Sequence, residues 1–123
     1  MELTNTHMRY LVAIYCLTRT QEEVSSLDIA GFLGVKKASV SRMTPVLMKK
    51  QLLVKEKYGK VYLTGKGYRL AKQMVQQIEQ LSDLIRGALP LSEPEVWTAA
   101  CAAACALAEQ RQANPPQAAQ PSG

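Results

Sequence analysis

Residues 25–63, SSLDIAGFLGVKKASVSRMTPVLMKKQLLVKEKYGKVYL, leave this chain few folds to choose from. Ser25 or Ser26 suits an N-cap, because a hydroxyl accepts from the free N–H groups of a first helical turn. Leu27, Ile29, Ala30, Phe32 and Leu33 supply the apolar residues of a short helix. Gly34 follows, the residue type that most easily takes the left-handed conformation closing a helix. A second helix starts near Lys37, with Val40, Met43 and Leu47 at i, i+3, i+7. Leu52-Leu53-Val54 and Val61-Tyr62-Leu63 then flank a Tyr58-Gly59-Lys60 tip, which predicts a hairpin. Helix, glycine turn, helix, hairpin is the order of a winged helix-turn-helix, an architecture suited to reading duplex DNA.

Charge patterning agrees. Residues 36–72 hold eleven Lys or Arg and a single acid, Glu56, on a chain whose formal net charge is only +5. The remainder is therefore net acidic, and the positive field lies over the predicted reader. Each Lys or Arg that meets a phosphate displaces a condensed counterion, so a field of this kind suits a polyanion. Lys36, Lys37, Ser39, Ser41 and Arg42 are expected at the groove, and Lys57, Tyr58 and Lys60 on the flanking backbone.

The 123 residues predict one domain or one small domain with an appendage. No run of 18 apolar residues occurs, and MELTNTHMRY lacks signal-peptide architecture, so the expectation is a cytoplasmic protein with no membrane partner. Three cysteines, Cys16, Cys101 and Cys105, suit a reducing compartment better than a disulfide framework. With one His, no Gly-rich phosphate loop, no Cys-x-x-Cys and no recognisable carboxylate pair, the chain reads as no enzyme.

Around the reader, residues 1–6 read as frayed, with Asn5 or Thr6 as N-cap of a helix to about Thr18. Val24 is placed as a minimal strand beside the wing. Pro45 lies inside the recognition helix, where it removes an N–H and crowds the Ser41 carbonyl at a cost of about 3 kcal/mol. A kink, or a break and restart, is expected there. Thr64 caps a long helix from about Lys66 to Ala88, in which Ala71, Met74, Ile78, Leu81, Ile85 and Ala88 form a coiled-coil-like seam. That seam suits either packing inside the domain or a homodimer, with Met74, Ile78, Leu81 and Ile85 as dimer contacts. Ser92-Glu93-Pro94-Glu95 opens a further, Ala-rich helix with a capping box. The fold class is mainly α: a winged helix-turn-helix with a two-stranded wing over 1–66, a helical dimerisation region over 67–112, and a disordered tail over 113–123.

LDIAGFLGVKKASVSRM, LLVKEKYGKVYLTGKG and the opening HMRYLVAIYCL resemble the diphtheria-toxin-repressor and manganese-repressor family of metal-dependent repressors. The resemblance covers roughly residues 5–110, strong to Gly67 and weak beyond. It implies a winged helix with a helical dimerisation domain that binds palindromic operators once iron or manganese is loaded. Carried over by position, the ligand set is largely missing. Arg9 and Val12 stand at first-helix ligand positions, Ile78 at a long-helix His position, Ala104 at a Glu position and Cys105 at a His position. Trp97 falls near another His position, and Cys101 matches a thiolate ligand of the iron-responsive branch. Arg9 carries a fixed positive charge and cannot bind a cation. His7, the only His, reads as solvated.

The leading expectation is a sequence-specific transcriptional regulator, a homodimeric repressor on double-stranded palindromic DNA, with an eroded metal site and no cofactor. A soft transition metal is the one candidate cofactor. Two alternatives stay open: a thiol- or soft-metal-responsive regulator using Cys101 and Cys105, perhaps joined by Cys16, and a winged-helix protein-interaction adaptor. All three thiols also fit as small buried residues. The sequence names neither the operator nor the effector.

Overall fold

The computed structural model describes residues 3–113; the expected tail lies outside these, apart from Ala113. Five helices and one hairpin follow in the order α1 (Asn5–Thr20), α2 (Ser26–Leu33), α3 (Lys37–Lys49), β1 (Leu53–Lys55), β2 (Val61–Leu63), α4 (Gly65–Ala88) and α5 (Glu93–Ala113).

Caps set most boundaries. Thr4, not Asn5 or Thr6, caps α1: its hydroxyl accepts from the His7 N–H, and its own N–H donates to His7 Nδ1 at 3.0 Å. The first turn is not frayed. Leu3 is buried, and Gln112 bonds both its N–H and its carbonyl, tying the start of the chain to the end of α5. Ser25 and Asp28 form a reciprocal capping box on α2, and Gly34 closes that helix at φ 69°. Ser92 and Glu95 repeat the device on α5.

The helix α3 runs unbroken through Pro45, so the expected break and restart do not occur. Val40, Thr44 and Leu47 face the core, whereas Ser41 and Pro45 are exposed. The carbonyl deprived of a donor therefore lies on the solvent side, where water can replace the missing bond. Thr44, which is buried, satisfies its hydroxyl by donating to the Val40 carbonyl at 2.8 Å.

The two strands pair antiparallel with Leu53 opposite Leu63 and Lys55 opposite Val61, one residue later on β1 than the sequence suggests. Gly59 turns the wing at φ 89°. The bridge to the wing is made by Ser25, opposite Lys60, one residue past the expected Val24, whose carbonyl accepts from Val61 N–H at 2.8 Å. Gly67 is fixed by contact: a Cβ there would stand 2.0 Å from the Leu52 carbonyl oxygen. Only glycine lets the first turn of α4 lie on the chain entering the wing.

One core unites the molecule. Leu11, Ile14, Ile29, Val40, Leu47, Leu52, Val61, Ile78 and Cys105 are all buried in a single cluster. Burying each large aliphatic side chain contributes about 1.5–3 kcal/mol. The expected boundary at 66/67 falls inside α4, and this core crosses it, because α1 packs on both α2 and the α4–α5 pair. The long-helix seam splits. Ala71, Met74 and Ile78 are buried within one chain, Leu81 and Ile85 are half-buried, and Ala88 is exposed. Met74 and Ile78 are thus core residues rather than free contacts for a second copy. Arg86 pins the α4–α5 corner, pairing with Glu93 at 2.9 Å and Asp83 at 2.8 Å.

Candidate functional site

Two places carry chemistry: the outer face of α3 with the wing, and a cleft where α1, α2 and α5 meet.

Because Val40, Thr44 and Leu47 point inward, the opposite face of α3 is fixed. Lys37, Ala38, Ser41, Arg42 and Pro45 are exposed along it, and Lys36 is exposed at the N-cap. Ser39 is half-buried, and its N–H donates to the Lys36 carbonyl. Lys36, Lys37, Arg42 and Lys57 make no ion pair among the described residues. On the wing, Tyr58 is 88% exposed. Lys60 differs from the sequence expectation: its ammonium lies 2.7 Å from Glu23, and its backbone bridges Ser25. Glu23 offsets its charge, which leaves Lys57 as the wing-tip cation. Sequence reading did not put Ala38 and Pro45 on this strip; they stand i, i+7 apart with Ser41 and Arg42 three and four residues from each, the spacing of one helix face.

The cleft has a volume of about 340 Å³. Arg9 and Val12 of α1 line one side, Phe32 and Leu33 of α2 another, and Trp97, Thr98, Cys101 and Ala102 of α5 the third. It therefore joins the last helix directly to the helix-turn-helix. The Arg9 guanidinium has no ion pair among the described residues and acts electrostatically on both Cys101 and Cys105. These two thiols hydrogen-bond one turn apart. Acceptance from Cys105, helped by Arg9, lowers the pKa of Cys101; the same bond, with burial, raises that of Cys105. Cys16 stands near Cys101, but burial pushes its thiol up to about 11.

Four of the residues that the resemblance would place at ligand positions lie in the core. Val12, Ile78, Ala104 and Cys105 are all buried, at 1%, 0%, 0% and 0% exposure. Among the described residues, no group of three or more His, Cys, Asp and Glu is arranged to hold a metal ion, so Cys16 does not complete a three-thiol cluster. His7 is occupied in the α1 cap. Phe32 and Leu33 had been read only as apolar helix residues; nothing in the sequence marks Phe32, 43% exposed, as a cleft wall.

Fold and surface together define a winged-helix domain of the DNA-reading class, continued by a helical hairpin. A family model, the iron dependent repressor N-terminal DNA binding domain, matches residues 2–61. Residues 2–61 thus carry the DNA-binding domain of this repressor family, as the sequence resemblance implies. It is 35% identical to the HTH-type transcriptional regulator MntR of Bacillus subtilis over 77 residues, 63% of this chain and 54% of that protein. With the Geobacillus kaustophilus MntR it shares 33% over 88 residues, 72% of this chain and 62% of that one. The chain thus spans little more than half the length of these relatives. Among solved structures, T. acidophilum IdeR superposes with TM-score 0.69 at 24% identity, covering 81% of this chain and 46% of that one. The manganese regulator SloR gives the same score and identity over 95% and 56%. At that identity these two structures establish the fold alone. No helix among the described residues is long and apolar enough to cross a membrane.

Proposed function

We propose that the chain is a sequence-specific DNA-binding transcriptional regulator, a repressor acting as a homodimer on a palindromic operator. The observation that carries this reading is the exposed strip of Lys37, Ser41 and Arg42 on α3, flanked by Lys36 and Lys57, whose bases form no ion pair among the described residues. Small residues at Ala38 and Ser41 let the helix approach base edges, and Arg42 has the reach for a guanine edge or a phosphate. The same surplus of unpaired bases disfavours an adaptor role. Two copies place two readers about one helical turn of DNA apart. Leu84, 69% exposed on α4, and the half-buried Leu81 and Ile85 offer the apolar surface for that contact.

Operator affinity in this reading does not depend on manganese or iron. Those ions take carboxylate oxygens and imidazoles held together. The chain offers hydrocarbon at Val12, Ile78 and Ala104, and a fixed positive charge at Arg9, so the residues present do not fit such an ion. The reader is tested by selecting bound duplexes from a random pool at fixed salt. Recovery of a two-fold symmetric consensus supports it; binding that is indifferent to sequence, or absent, removes it. Sedimentation tests the dimer: Leu84→Asp should yield monomers and a folded chain.

A further inference from the structure

The cleft where α1, α2 and α5 meet carries positive charge where the resemblance would place ligands for a cation. Arg9 is the one formally charged residue among those that line it, and no carboxylate does. The guanidinium makes no ion pair among the described residues. Thr98 offers no spare proton, since its hydroxyl donates to the Pro94 carbonyl at 2.9 Å. Two of the walls are aromatic: Trp97 of α5 is half-buried and Phe32 of α2 is exposed, so both keep ring surface uncovered. Val12 and Leu33 add hydrocarbon. A fixed cation in such surroundings repels a metal ion, and apolar walls strengthen its pairing with an anion.

Size and charge narrow the occupant. The volume of about 340 Å³ lies at the small end for ligand sites, which run from about 300 to 1,000 Å³. It suits one ring rather than a peptide or a long acyl chain. One guanidinium balances one negative charge. A carboxylate accepts its two parallel N–H bonds as a fork. A phosphate dianion would bring a second charge against hydrocarbon, with no further cation to meet it. A planar ring gains contact with aromatic faces, whereas a bare inorganic anion would leave Trp97 and Phe32 uncovered.

We propose that this cleft binds a small aromatic carboxylate, with its carboxylate on the Arg9 guanidinium and its ring against Trp97 and Phe32. The association is non-covalent and transfers no electron. It rests on the reading that the cleft holds no manganese or iron ion, which a calorimetric manganese titration of the same sample checks separately.

Trp97 is the only tryptophan in the chain, so its fluorescence reports on this cleft. The probes are benzoate, its neutral analogue benzamide and the cation benzamidine, each titrated at fixed salt without DNA, so that the outcome is independent of operator binding. Benzoate should give a saturable change in Trp97 emission. Benzamide should bind about 10-fold or more weakly, the loss of one charge-assisted pair, and benzamidine should not bind. Arg9→Gln should abolish the preference for benzoate over benzamide, and Phe32→Ala should weaken both probes alike. Arg9 and Phe32 are exposed, so neither change removes a core side chain. Benzamidine held as firmly as benzoate, a benzoate preference that survives Arg9→Gln, or benzoate affinity untouched by Phe32→Ala would overturn the assignment. So would the absence of a saturable change with benzoate. Manganese taken up by the native chain would instead overturn the reading beneath it.

Discussion

The helices α3 and α5 place their chemistry in opposite settings. On α3 the functional side chains point outward, and a buried inner face of Val40, Thr44 and Leu47 fixes which ones they are. On α5 Cys105 is buried and Cys101 half-buried, and Val12 of α1 and Ile78 of α4, where the resemblance would place polar ligands, are buried hydrocarbon. A surface that meets a polyanion needs charge and exposure, which a single helix supplies. A metal site needs donors from three helices at once, and replacing a few of them converts it into core without disturbing the fold. The two regions can therefore diverge separately, even though one continuous core joins them.

The largest expected effect tests the inward region. Ile78→His places the family's ligand type in a fully buried position with no partner; it should cost about 2–5 kcal/mol, the range for losing a buried aliphatic side chain. Manganese should not restore the loss in thermal unfolding. Restoration would show that hard donors still surround that position.

Next comes the joint between the regions. Gly67→Ala puts a methyl into the Leu52 carbonyl and should cost about 3 kcal/mol, the upper end for overpacking. Because α4 is shared, metal-free stability and DNA affinity should fall together. An unchanged melting temperature would mean that α4 and the wing do not touch as described.

The outward region separates into two kinds of contact. Arg42→Ala should cost about 1–3 kcal/mol on the selected sequence and relax preference at one base pair. Lys57→Ala should weaken all duplexes alike and flatten the log-affinity against log-salt slope by about 0.9. Lys60→Ala should do less than Lys57→Ala, since Glu23 already pairs with Lys60. The reverse order at the two wing lysines would return Lys60 to the DNA contact.

Thiol reactivity gives the smallest and most local contrast. Near neutral pH, Cys101 should alkylate first. Its pKa is lowered by the bond from Cys105, so its thiolate is populated at lower pH than that of Cys16, which is pushed up to about 11. Cys105, buried, should react last. Peptide mapping after limited iodoacetamide treatment reads the order; Cys16 reacting first would contradict the described cleft.

How much of this the sequence shows follows from the range of the interactions. Ser25, Gly34, Thr64 and the Ser92–Glu95 box act within a few residues, so the elements they bound are legible within a residue or two. The strip on α3 is legible because one helix period sets it. The Leu3–Gln112 tie spans almost the whole chain and leaves no local mark, which is why the N-terminus reads as frayed when it is not. Lys60 looks like its neighbours in sequence; only the bridge to Ser25 brings Glu23 beside it. The Met74–Ile78 part of the seam suits an intramolecular and an intermolecular partner equally, and α1 and α5 settle it by occupying that face. Phe32 and Trp97 become cleft walls only when α2 and α5 meet.

The central claim is that the reader works without the hard-metal control of the family. It is tested most directly by titrating affinity for the selected operator at constant ionic strength, in chelator and then in rising manganese or iron(II). The account predicts affinity in chelator that either ion leaves within about twofold, a difference of less than 0.5 kcal/mol. A gain of about tenfold or more on adding manganese or iron would contradict it and restore a working metal site at Arg9, Val12 and Ile78.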